Sequence, residues 1–373
     1  MVTEDASWVP PEIDTTKANI ARVYDWFLGG EHNFRVDQDA ARALIAIEPR
    51  ARAIAWGYRA FLIRAVRYLA GEAGIRQFLD IGSGIPTARN VHQIAQEITP
   101  RSRVVYVDND DVAVAHSKLL LDDNPDATVI QADLRDPKAI LDHPETRRLL
   151  DFTQPVALLL AAVLHFIPDS DDPSGILATF RGALAPGSHI AISHACRDPI
   201  PDVADSLAAA FRSRFDASST IRTREEIERL FNGFTLVEPG LVWLPSWRPD
   251  SPADVPEDPA VFWAMAGVGR YPGDVLSPSS PRPWPGMVHS TSSPSTLNPT
   301  TSPPDTPTRT RPGCLSAIAQ HAKCLLPLPD DPGQGEGLLR VVPPGPAEHC
   351  DDHEATIGLL RDGKVQAEQF ITG

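Results

Sequence analysis

The chain has 373 residues, 42% of them hydrophobic, and 49 acidic against 34 basic side chains give it a formal net charge of −15. That acidity argues against DNA or RNA as a partner, because nucleic-acid binding draws most of its affinity from neutralising phosphates with a basic face. No run approaches the roughly 18 apolar residues of a membrane span, the polar start Met1-Val-Thr-Glu-Asp5 is unlike a secretory signal, and four cysteines form no disulfide framework, so no membrane association and a cytoplasmic location are expected.

Asn19 to Leu28 is helical in pattern, with Ile20, Val23, Phe27 and Leu28 recurring at helical spacing before Gly29-Gly30 ends the run. Glu31-His-Asn-Phe34 reads as a polar turn, and helical periodicity resumes from Asp37 to Ile47. This block does not fit a parallel sheet and is expected to pack over the open carboxyl edge of one. Tyr24, Asp25, His32 and Asn33 are therefore candidates to touch a cofactor or an acceptor; the alternative is that they only close turns. A helix from Tyr58 to Gly71, with Phe61, Leu62, Ala65, Val66 and Leu69 on one face, precedes the first strand.

Residues 76–88 carry the most information. Phe78 to Ile81 reads as a buried strand running into Gly82-Ser-Gly84, where glycines allow positive φ and a close approach of backbone to ligand. Pro86 suits the first turn of a following helix, whose N-terminus would favour an anion. A dinucleotide fingerprint would require a third glycine where Thr87 stands, and Asp80 would repel a pyrophosphate. S-adenosylmethionine, with an ammonium, a sulfonium and one carboxylate, suits that charge pattern better.

Further apolar runs follow with helical stretches between them, as a parallel sheet covered on both faces requires. Arg103 to Asp108 ends in an acid placed to accept ribose hydroxyls, and Ala127 to Asp133 ends in one suited to an adenine amino group. Val156 to Val163 precedes Leu164-His165-Phe166, and His189 to His194 forms the fifth run. Phe234 to Glu238 and Val261 to Ala266 are read as the last two strands, joined by a loop through Trp243, Trp247 and Pro249.

Two blocks together resemble the class I S-adenosylmethionine-dependent methyltransferases, and specifically a bacterial family of them formerly classed as a domain of unknown function. One block is Phe78 to Thr87 with Tyr106-Val-Asp108-Asn-Asp110; the other is Ala21 to Phe34 with Asp37. The similarity spans about residues 10–270, including Ala266-Gly-Val-Gly-Arg270 at its end. It implies a doubly wound α/β fold, a seven-stranded Rossmann-like sheet of order 3-2-1-4-5-7-6 with a final antiparallel strand. It also implies that the loop of Asp80, Gly82 and Gly84 holds the methionyl part of the cofactor, Asp108 the ribose and Asp133 the adenine, with Ser83 and Asn109 also cofactor-binding. Ser83 stands where the family commonly has Thr.

The expected activity is methyl transfer to a small-molecule acceptor. His165, and less directly His194, are placed at strand ends where an imidazole could serve as base. Two other readings share the same sheet. One is a non-catalytic sensor of S-adenosylmethionine; the other is an aminopropyl transferase using Asp169, Asp171 and Asp172 toward a polyamine. The expected organisation is a helical cap at 1–75, a sheet domain at 76–270, a Pro/Ser/Thr-rich disordered linker at 271–312 and a poorly structured tail at 313–373. Between Pro272 and Pro312, 11 of 41 residues are Pro and 15 are Ser or Thr, too few apolar side chains to offset the entropy of ordering. His321, Cys324, His349, Cys350 and His353 match no zinc spacing, so no metal is expected.

Overall fold

The computed structural model describes residues 15–86, 89–215, 219–273, 355–361 and 364–371. The His and Cys residues from His321 to His353, and the 274–312 part of the expected linker, lie outside the described residues. The chain divides into two compact units, residues 1–283 and 284–373.

Three helices come first: α1 (Ile20–Phe27), α2 (Arg35–Ile47) and α3 (Ala51–Gly71). The side chain of Asn19 caps α1 by accepting from the Ala21 amide at 2.7 Å. Asp37, fully buried, accepts from the amides of Asn19 and Phe34 and from Arg22 Nε at 3.0 Å, so one carboxylate ties the start of α1 to the start of α2. Arg22 is itself 3% exposed, which makes this a buried pair with its remaining acceptors satisfied. The α3 helix begins two turns before the expected Tyr58.

Strands and helices then alternate: β1 (Gln77–Ile81), α4 (Val91–Ile98), β2 (Arg103–Asp108), α5 (Asp111–Leu121), β3 (Ala127–Gln131), α6 (Pro137–Asp142), α7 (Pro144–Leu149) and β4 (Ala157–Ala161). After β4 come α8 (Pro173–Ala183), β5 (His189–Ala195), α9 (Pro201–Phe215), α10 (Arg224–Arg229), β6 (Thr235–Leu236), β7 (Val242–Trp243) and β8 (Ala264–Arg270). The sheet order is β3-β2-β1-β4-β5-β8-β6, with β7 also pairing β8. Strands β1 to β5 are parallel, and β8 lies antiparallel to β5. This is the expected Rossmann-like order, with β8 in the antiparallel place and the short β7 added.

Alternation along each strand builds two cores, because successive side chains point to opposite faces. Phe78, Val104, Tyr106 and Leu159 join the cap helices and α4 on one face. Leu79, Val105, Val107, Leu158 and Leu160 join α6, α7, α8 and α10 on the other. Burial on both faces is why these strands read as unbroken apolar runs.

The last strand differs from expectation. Val261 and Phe262 lie in a 3-10 turn opened by Pro259, and Trp263 has a left-handed φ of 33°. The strand begins at Ala264 and continues through two glycines. A side chain at Gly269 would sit 2.8 Å from Phe234, and one at Gly267 would sit 3.1 Å from Phe231. Packing against those rings, and not strand propensity, selects glycine here. In the second unit, β9 (Ala355–Arg361) and β10 (Lys364–Ile371) pair as an antiparallel hairpin within the stretch expected to be poorly structured.

Candidate functional site

A cavity of about 750 Å³ opens at the carboxyl ends of β1 to β4, within the range of about 300–1,000 Å³ typical of small-molecule sites. Residues of α1, α3 and α9, the 3-10 turn at Leu164–Phe166, and Trp263 complete its walls.

The floor is the turn after β1. The Gly82 and Ser83 amides donate to the Val107 carbonyl, which bends the chain across the end of β2. Gly82 has φ +70°, and a Cβ there would lie 2.4 Å from Val163 Cγ2. Gly84 has φ +66° and open space where a Cβ would stand, a cradle into which a ligand can approach the backbone. The Ser83 hydroxyl is buried and has no partner among the described residues.

Asp108 accepts from the Gly84 amide at 2.7 Å and from the Asp110 amide at 2.9 Å. Burial pushes its carboxyl up, and those hydrogen bonds oppose the rise. Asn109 lines the cavity beside it. Asp133 also lines the cavity, but its carboxylate is held by the Arg135 side chain and amide, which keep its pKa low.

Asp80 is 4% exposed at the end of β1, and burial pushes its pKa up to about 7. The Arg59 guanidinium opposes that rise and the Asp108 charge adds to it. Arg59 comes from the buried face of α3, lines the same cavity, and donates to the Arg89 carbonyl and to Asn90 Oδ1. Asp80 and Arg59 thus present opposite charges to one end of the cavity. Sequence reasoning missed Arg59, although an arginine one residue along from the apolar stripe of α3 was its signal.

The expected anion site at a helix N-terminus is not built that way. α4 starts at Val91, so Pro86 lies in the connecting loop and not in a first helical turn. Its N-terminal groups are already engaged: Gln93 Oε1 accepts from the Asn90 amide, and the Tyr106 hydroxyl accepts from the His92 amide, each at 2.8 Å.

Of the four candidate cap residues, Tyr24 faces the cavity; its hydroxyl donates to the Ala55 carbonyl at 3.1 Å, and burial pushes its pKa up to about 12. Asp25, His32 and Asn33 are not among the lining residues. Asp25 accepts from the His32 amide and Asn33 Nδ2 and packs against Gly30, where a Cβ would lie 2.0 Å from its oxygen. The His32 ring lies on that of His116, with centroids 3.9 Å apart. These three residues close the turn between α1 and α2.

His165 lines the cavity and is 8% exposed. Its Nδ1 is buried without a partner among the described residues, which leaves Nε2 as the ring nitrogen a ligand can meet. Burial, reinforced by the Arg222 charge, pushes its pKa down to about 3. His194 does not line the cavity. It sits fully buried in β5, with Nδ1 on the Ala195 carbonyl at 2.7 Å and Nε2 accepting from Arg222 Nη1 at 2.9 Å. Arg222 also donates to the carbonyls of Leu164 and Ile167 and to Asp169, and so clamps the turn that carries His165. Of the three acids read as polyamine ligands, Asp169 is bound by Arg222 and Asp172 caps α8 through the Gly175 amide. Asp171 lines the cavity within 3.8 Å of Arg135.

Residues 6–272 match the model of a family described as S-adenosyl methyltransferase. A crystal structure from Thermobifida fusca YX, provisionally named a methyltransferase, shares 42% identity over 71% of this chain and 99% of its own, with a TM-score of 0.68. A DUF574 family protein from Streptomyces avermitilis MA-4680 shares 40% identity over 69% of this chain and 99% of its own, with a TM-score of 0.67. No curated protein matches the chain.

Proposed function

This chain belongs to the S-adenosyl methyltransferase family, and from that premise we propose that it methylates a small-molecule acceptor bound between the cap helices and the sheet. It is an S-adenosylmethionine-dependent methyltransferase, and S-adenosylmethionine is its cofactor. The residues present fit that cofactor. The open backbone at Gly84 and the Asp80 and Arg59 side chains that line the same cavity suit a zwitterionic tail with a nucleoside attached.

In this reading Asp80 takes the ammonium, Arg59 the carboxylate and Asp108 the ribose hydroxyls, with Asn109 alongside. Asp133 reaches the adenine by sharing its carboxylate with Arg135. When bound, the cofactor supplies a methyl carbon on a sulfonium, which accepts the acceptor's lone pair as the carbon–sulfur bond breaks and leaves a neutral thioether. The chain's own task is to hold the partners in line and exclude water, which the enclosing helices and Trp263 do.

His165 is the one candidate base that faces the cavity. It is uncharged at neutral pH, so Nε2 can receive a proton from the acceptor. Its low proton affinity confines that role to a proton made strongly acidic as positive charge develops on the methylated atom. His194 is left a supporting part, since both of its nitrogens are engaged.

The observation that carries this proposal is that Asp80 and Arg59 line one cavity with the Gly82–Gly84 turn and Asp108. Calorimetry with S-adenosylhomocysteine tests it. The native protein should bind and NADH should give no heat. Asp108→Ala should weaken binding by about 1.5–3 kcal/mol through loss of charge-assisted hydrogen bonds. An unchanged dissociation constant would remove Asp108 from the ribose. Incorporation of labelled methyl from S-adenosylmethionine into the small-molecule fraction of a cell extract tests the acceptor class, and label confined to macromolecules would refute it.

A further inference from the structure

We infer that the acceptor is an uncharged, predominantly apolar compound that makes one polar contact, to Nε2 of His165. This rests on the methyl-transfer reading of the same cavity and narrows it to a substrate class.

Large apolar side chains contribute to the lining: Phe27 of α1, Leu62 of α3, Phe166, Leu207 and Phe211 of α9, and Trp263. They are aromatic or branched aliphatic, and their contact area favours a flat or bulky apolar ligand. Two ionisable groups of this lining, Glu48 and Tyr24, are already committed. Glu48 lines the cavity, yet its carboxylate accepts from Arg50 and from Trp263 Nε1 at 3.1 Å. Burial pushes that carboxyl up, but these donors outweigh burial and hold it below the usual range. The Tyr24 hydroxyl is spent on the Ala55 carbonyl, and the Tyr58 hydroxyl is buried with no partner among the described residues. An anionic or cationic acceptor would shed its hydration here without gaining an opposite charge. His165 lines the cavity with Ser170 and Ser219, and among these it offers a ring nitrogen that burial keeps neutral. Its orientation is fixed from behind, by the Thr220 amide on its own carbonyl at 2.7 Å and by Arg222 on the carbonyls of Leu164 and Ile167.

Three probes of one shape separate these contributions: naphthalene, 2-naphthol and 2-naphthalenesulfonate, each titrated calorimetrically into protein saturated with S-adenosylhomocysteine. One net hydrogen bond should make 2-naphthol bind roughly three- to tenfold more tightly than naphthalene. The sulfonate should bind about 100-fold or more weakly than 2-naphthol. His165→Phe should erase the advantage of 2-naphthol while leaving naphthalene affinity in place. Phe211→Ala, at a half-buried position, should weaken both uncharged probes equally and serves if the His165 variant fails to fold.

Equal binding of 2-naphthol and naphthalene overturns the inference. So does sulfonate binding as tight as that of 2-naphthol, or no binding of either uncharged probe. Failure of S-adenosylhomocysteine to bind, seen before any probe is added, overturns the underlying cofactor assignment instead.

Discussion

Asp80 offers the sharpest test of the site, because its charge state links pH to both stability and cofactor affinity. Its carboxyl is taken from an ordinary 3.8 to about 7, mainly by burial. A raised acid favours folding in its protonated form. That stabilisation, on the order of 4 kcal/mol, is complete below pH ~4 and is lost as pH rises through about 7. A cofactor ammonium needs the opposite, ionised form. At pH 6 roughly one-tenth of the free protein carries ionised Asp80, and at pH 7.5 about three-quarters does, so the apparent Kd for S-adenosylhomocysteine should fall about eightfold between them. Calorimetry in two buffers of different ionisation enthalpy reads the same event directly, as release of nearly one proton per ligand bound at pH 6. In Asp80→Asn the affinity should be weaker and independent of pH across this range. A flat Kd in the native protein, or proton release that survives in Asp80→Asn, would refute the assignment of the ammonium to Asp80.

The two glycines of the turn should differ when replaced. Gly84→Ala meets open space and costs about 1–2 kcal/mol for a left-handed side chain, whereas Gly82→Ala adds a collision with Val163 and should melt at least about 2 °C lower than Gly84→Ala. Equal melting temperatures would show that Val163 moves aside freely. A chain ending at residue 283 contains every residue of the cavity and should bind S-adenosylhomocysteine with unchanged Kd. Weakened binding would assign the remaining residues a part in the first unit.

The sheet was legible because parallel strands buried on both faces must be apolar throughout, and Leu79, Val105 and Leu158 leave few alternatives. The glycine turn, Asp80 and Asp108 were legible for a related reason: a strand end followed by positive-φ positions leaves little freedom in where those groups sit. What escaped depends on contacts between distant segments. Nothing near His194 in sequence reveals that Arg222, 28 residues on, fills its Nε2. Asp25 and Asn33 carry the right chemistry for a ligand but spend it on each other across a turn. Trp263 reads as part of a strand by propensity, yet it takes a left-handed turn ahead of β8, and its indole donates to Glu48, 215 residues away in sequence. Arg59 could be placed only once α3 was known to face the end of β1.

The antiparallel course of β8 sets at which rim of the sheet its last strand ends. Arg270 pairs with His189, the opening residue of β5, so the backbone emerges at the amino-terminal rim of the parallel strands while ligands enter at the carboxyl-terminal rim. An affinity tag, a fluorophore or a fused enzyme joined shortly after Gly273 would therefore start on the side of the molecule remote from the ligand mouth. That makes this junction the natural attachment point for immobilising the protein while substrates exchange freely.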